Sequence, residues 1–140
     1  MKKIQLLFAL IPLIFSCSDS GVNNNNPFVP NYTFTIDLNL NLPTYSNLKF
    51  VSNAVYISGL GAKGIYVFCT APGNYNAFDA ACPNQALNSC SNMTLKGINV
   101  VCACDSKEYS LFTGQAQGGA QYPLKQYRVQ VNGDILRVYN

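Results

Sequence analysis

The chain has 140 residues, with 9 Lys plus Arg, 6 Asp plus Glu, 6 Cys and neither His nor Trp. The missing His excludes imidazole acid–base catalysis, His-assisted nucleophiles and His-containing metal sites. A net charge of +3 with only 11% charged residues, against a usual content of about 25%, leaves no clustered basic face for nucleic acid.

Met1-Lys2-Lys3 is a positive leader, and Ile4 to Phe15 is an apolar run broken only by Gln5. That run is too short to span a bilayer, which takes about 20 apolar residues. It has the length of a secretory apolar region. It ends in Ser16-Cys17, an arrangement that resembles the bacterial lipobox, although Phe15 is bulkier than the residue usual there. The resemblance implies a lipoprotein signal peptide over residues 1–16 and acylation of Cys17. Two or more acyl chains anchor a protein where one would not. Lys2 and Lys3 would leave with the leader, so the mature chain would carry seven basic and six acidic side chains. Ser18 stands where an acidic residue retains some lipoproteins at the inner membrane. The expected location is therefore the bacterial cell envelope, at the outer membrane, with the bilayer as a partner through the lipid. Export would put the remaining cysteines in an oxidising compartment.

Ser18 to Pro30 is polar, contains the run Asn23-Asn24-Asn25-Asn26 and shows no periodicity. Residues 17–31 are expected to be a flexible lipid-anchored tether, and residues 32–140 one domain. Phe34, Ile36, Leu38 and Leu40 alternate with polar residues, the period-two pattern of a half-buried strand. Leu42 to Phe50 reads as a connection broken at Pro43. Ala54 to Ser58 and Ile65 to Cys69 read as strands across a Gly-rich turn. Tyr75 to Asp79 follows Pro72-Gly73-Asn74 as a short strand. Met93–Leu95 and Asn99–Val101 flank Lys96-Gly97 as a hairpin. Lys125 to Val131 and Ile135 to Tyr139 flank Asn132-Gly133, the dipeptide that accepts the positive φ of a tight hairpin. No segment from residue 31 onward keeps a helical period. Many short strands predict an all-β antiparallel sandwich or barrel.

Four cysteines sit in two loops: Cys82 and Cys90 in the first, Cys102 and Cys104 in the second. The second loop is followed by Leu111-Phe112-Thr113-Gly114, Gly118-Gly119-Ala120, Tyr122-Pro123-Leu124 and the final hairpin. In order and spacing, from about Ile65 to the C-terminus, this resembles the Rieske [2Fe-2S] domain, in particular its envelope lipoprotein branch. The resemblance implies a Rieske-like antiparallel β-sandwich or barrel with a two-loop, cysteine-bearing tip. In that family two Cys bind one iron and two His the other. The cluster-equivalent positions here are Cys82, Asn84, Cys102 and Asp105, so both His positions are replaced. Asn is a poor iron ligand and Asp a hard oxygen donor. Ser106 and Lys107 stand where the family has Gly and a Ser that hydrogen-bonds the cluster, and Gly119 replaces a loop proline.

Cys90 and Cys104 match the pair bridged in the family. The resemblance therefore implies two neighbouring disulfides, Cys82–Cys102 and Cys90–Cys104, the first closing where iron would otherwise hold the two sulfurs. The crossed pairing, Cys82–Cys104 with Cys90–Cys102, stays open. Cys69, on a strand face with Ile65 and Val67, reads as a buried free thiol. Asp79 reads as a strand-end or turn residue, and Asp105 and Glu108 as solvated loop residues. The expected function is that of a lipid-anchored envelope module with a structural or interaction role toward an unidentified protein partner. No enzymatic activity, cofactor or catalytic residue is expected. A [2Fe-2S] electron carrier is the first alternative and a thiol–disulfide exchange partner the second. A zinc site on the loop cysteines is a further option.

Overall fold

The computed structural model describes residues 25–140. The expected leader, residues 1–16, the lipidation site Cys17 and the first part of the tether lie outside the described residues. Nine strands follow one another: β1 (Thr35–Asn39), β2 (Ala54–Ile57), β3 (Ile65–Ala71), β4 (Asn74–Asp79), β5 (Met93–Lys96), β6 (Asn99–Cys102), β7 (Glu108–Ser110), β8 (Gln126–Asn132) and β9 (Ile135–Tyr139). Every pairing is antiparallel. The all-β antiparallel architecture read from alternation is what the chain forms. Among the described residues no helix is long and apolar enough to cross a membrane.

Two sheets result. The larger runs β1-β9-β8-β4-β3-β2, and the smaller runs β5-β6-β7. Ile36 and Leu38 of β1 share a core with Val55 and Ile57 of β2, although these are the two edge strands. The large sheet therefore curls until its edges face one another. Leu48, fully buried, joins this core from a short 3-10 helix, Ser46–Lys49, that packs against β2 and β3. The segment expected as a connection thus contains a helical turn, which one buried side chain does not announce as a period.

Strand β3 is buried on both faces, and this divides the interior in two. Ile65 and Val67 point into the core of the curled sheet with Leu38, Tyr127 and Leu136. Tyr66 and Phe68 point the other way, into a second core with Met93, Val100, Cys102, Tyr109 and Leu111 beneath the small sheet. β4 repeats the division with Ala77 and Phe78. A strand covered on both sides is a continuous apolar run, which Ile65 to Cys69 is. Cys69 is buried in that run, its thiol 3.4 Å from the Ala71 carbonyl, and is the free cysteine among the described residues.

Asp79 is no ordinary strand-end residue. Its side chain is fully buried. Its carboxylate accepts from the Ala62 and Lys63 amides (2.6 and 3.3 Å), the Ala81 amide (2.8 Å) and the Tyr127 hydroxyl (2.6 Å). A carboxylate removed from water needs such donors. The turn that supplies two of them passes so close that a Cβ on Gly61, at φ +62°, would lie 2.6 Å from the Tyr127 hydroxyl and against the Asp79 carboxylate. Only glycine fits there.

The segment expected as tether is packed in its last residues. Val29 is 1% exposed. Asn26 Oδ1 caps the Phe28 and Val29 amides, and Asn26 Nδ2 donates to the Pro83 carbonyl at 2.8 Å. Buried Lys125 donates from Nζ to the Val29 carbonyl at 3.2 Å and to Asn31 Oδ1. The packed chain thus begins before Tyr32. Two adjacent apolar residues, Phe28 and Val29, among Asn and Pro carry no period by which to see this.

Candidate functional site: the cysteine tip

The tip is built by the β4–β5 and β6–β7 loops. Cys82 is held where its amide donates to the Ser91 carbonyl (2.8 Å) and Ala81 bridges Asn92, so the first loop closes on itself. Cys102 ends β6, and its amide donates to the Lys107 carbonyl across the second loop. The loop reverses through Ser106 at φ +57°, and the Ser106 amide donates to the Cys102 carbonyl. The segment after the turn, expected as loop, pairs with β6 as β7, with Tyr109 opposite Val100 and Glu108 opposite Val101.

The four loop cysteines are joined as Cys82–Cys102 and Cys90–Cys104, not crossed. Their Cα separations are 5.5 and 5.1 Å, within the span that a disulfide bridges. The two bonds differ in setting. Cys82 and Cys102 are fully buried in the second core, whereas Cys90 and Cys104 are partly exposed. The Sγ atoms of Cys82, Cys102 and Cys104 lie within 4.8 Å of one another.

Asn84 points inward and every polar atom of its amide is engaged. Its Oδ1 accepts from the Tyr122 amide (2.8 Å), and its Nδ2 donates to the Tyr122 carbonyl (2.7 Å) and the Tyr109 hydroxyl (2.9 Å). It clamps the covering loop, residues 119–124, down on the tip. Burial raises the Tyr109 phenol above its ordinary range, and the Asn84 hydrogen bond partly opposes this. Phe28 meets the Tyr122 ring edge-on at 5.9 Å, so the N-terminal segment backs the same loop.

Asp105 is exposed. It accepts from the Lys107 amide at 3.1 Å and lies 3.6 Å from the Lys107 ammonium, a turn-closing arrangement rather than a site. Glu108 is likewise engaged at the surface, with Lys96 Nζ at 2.9 Å and Asn99 Nδ2 at 2.6 Å. Those partners hold its carboxyl below the usual range.

This donor set is not the two-Cys, two-His set of a Rieske [2Fe-2S] cluster. Two of the four equivalent positions are sulfurs bonded to each other. The third is spent on three hydrogen bonds, and the fourth faces solvent. Clusters are held by four Cys, or by Cys with His.

Several participants were missed in the sequence. Asn88 Oδ1 lies 2.9 Å from Cys90 Sγ and 3.4 Å from Cys104 Sγ, and accepts from the Cys90 amide and the Ser91 hydroxyl. Gln85 Nε2 lies 3.9 Å from Cys102 Sγ. Tyr109, buried on β7, and Tyr122, in the covering loop, meet at Asn84. The only signal was their placement within or beside the two loops.

No family model matches the chain, and no curated protein matches it. Among solved structures it is similar to a complex of reduced oxygenase and oxidized ferredoxin in carbazole 1,9a-dioxygenase, at 20% identity over 64% of this chain and 82% of that one, with a TM-score of 0.45. It is similar to the Sphingomonas yanoikuyae B1 ferredoxin at 16% identity over 67% and 93%, with a TM-score of 0.45. It is also similar to the E. coli protein NirD at 14% identity over 78% and 98%, with a TM-score of 0.48.

Proposed function

We propose that this chain is a lipid-anchored envelope module with a Rieske-like domain whose cluster position is closed by sulfur–sulfur bonds, and that it serves as a structural or protein-binding element. The observation that carries this reading is the state of the four cluster-equivalent positions. Cys82 is bonded to Cys102, Asn84 is committed to Tyr109 and Tyr122, and Asp105 lies at the surface. A tip locked by two disulfides and an amide clamp is a stiff surface feature, which suits recognition.

A second reading, a [2Fe-2S] electron carrier, draws on the convergence of three cysteine sulfurs. It requires both disulfides to open and ligands other than His.

Iron and acid-labile sulfide analysis of the mature protein, prepared both anaerobically and in air, separates the two. The expected result is a colourless protein without stoichiometric iron. Two irons per chain with visible absorption would replace the first reading by the second. Anchoring is tested separately with Cys17→Ser, which is expected to leave an unprocessed, unacylated chain.

A further inference from the structure

The two disulfides stand one behind the other. The outer bond, Cys90–Cys104, is partly exposed, and the inner bond, Cys82–Cys102, is sealed in the core at 1% and 0% exposure. A thiolate must reach a disulfide sulfur in order to exchange with it, so reagents in water have no direct route to the inner bond. Cys104 does have one, because its sulfur lies within 4.8 Å of both inner sulfurs.

We propose that the tip is a two-stage thiol–disulfide exchange site, in which a dithiol reacts at the outer bond and Cys104 relays the exchange to the inner one. The proposal rests on the disulfide-closed tip of the preceding section and adds an activity to it. In the first stage a thiolate of the dithiol attacks Cys90 Sγ. The Cys90–Cys104 bond breaks, a mixed disulfide forms on Cys90, and Cys104 leaves as thiolate. The second thiol of the reagent then closes on its partner sulfur and releases Cys90. Two electrons have passed from the dithiol, now a disulfide, to the protein.

In the second stage the Cys104 thiolate attacks Cys82 Sγ. The Cys82–Cys102 bond breaks, Cys82–Cys104 forms, and Cys102 leaves as thiolate. One bond replaces another with no net electron change. Attack on Cys102 is disfavoured, since only Ala103 separates it from Cys104. The inner sulfur Cys82 is now joined to a partly exposed one. A second dithiol can open that bond to give four thiols.

The test uses the full mature chain. In Cys90→Ser, Cys104 is a free thiol beside the inner bond without any reductant. Acid quenching, alkylation and mass-spectrometric mapping are expected to find Cys82–Cys104 with Cys102 alkylated. Retention of Cys82–Cys102 alone overturns the relay. In the folded double variant Cys90→Ser, Cys104→Ser, dithiothreitol is expected to open the inner bond at least about tenfold more slowly than in the wild type. An unchanged rate overturns it. Should the double variant not fold, limiting dithiothreitol on the wild type decides, since Cys82–Cys104 must occur among the one-disulfide species. Before any reduction, denatured wild type is expected to show Cys69 as its one reactive thiol, the Cys17 sulfur being acylated. More free thiols would refute the disulfide-closed tip itself, and not merely the relay.

Discussion

The two interiors of this small protein hold themselves together by different means. The curled six-stranded sheet closes around aliphatic side chains and one buried carboxylate, Asp79, that collects four donors from three segments. The second core is covered by a three-stranded sheet with strands of four, four and three residues, and the loops of the tip are held by two covalent bonds and an amide clamp. The contrast follows from how each part satisfies its backbone. Strands in a sheet pair their N–H and C=O groups along the ladder. Two loops have no continuous ladder, so side-chain hydrogen bonds and disulfides hold them in place.

The largest effect is expected at Asp79. Asp79→Ala orphans the Ala62, Lys63 and Ala81 amides and the Tyr127 hydroxyl in a buried place. An expected loss of about 3–5 kcal/mol follows from removing one member of a buried polar network, measured as a fall in the urea midpoint. Hydrogen exchange should rise across the Gly61 turn and β8 before it rises in the tip. A loss confined to the tip would show that the two regions are not separate in the way described.

A smaller effect is expected at Asn84. Asn84→Ala removes both the donor to Tyr109 and the two-way bond to Tyr122, at a cost of about 1–3 kcal/mol. Faster exchange should be local to residues 119–124, with both disulfides intact by mass. An exchange pattern unchanged from the wild type would mean that the clamp holds nothing.

The last effect is silent at neutral pH. Burial raises the Tyr127 phenol strongly, with the Asp79 charge adding to it, and raises Tyr109 more modestly. Below the unfolded value near 10 both states are protonated and the full stability is present. As pH climbs past that value the unfolded chain loses these protons while the folded chain keeps them, so stability falls. Alkaline unfolding followed by tyrosinate absorbance should therefore begin above about pH 10. Tyr127→Phe, already weakened by its lost bond to Asp79, should show a shallower dependence on pH.

Much of the architecture was legible in the residues. Alternation placed β1, the Asn132-Gly133 dipeptide placed the last hairpin, and the unbroken apolar run of β3 reflected burial on both faces. β7 was not legible: three residues, Glu108–Ser110, become a strand only because β6 lies beside them. The role of Asn84 was half legible. Its position marked it as standing where a ligand would, but not as a clamp, because its partners are 25 and 38 residues away.

What the sequence by itself determined is local or compositional: strand period, turn chemistry, and a chain without imidazole. Those properties are carried by neighbouring residues or by none in particular. What only the tertiary structure decided is which polar groups leave water and whom they meet. Asp79 becomes a hub through Tyr127, 48 residues on, and four loop cysteines become an inner bond behind an outer one. Such outcomes depend on distances between segments remote in the chain, which the folded backbone alone establishes.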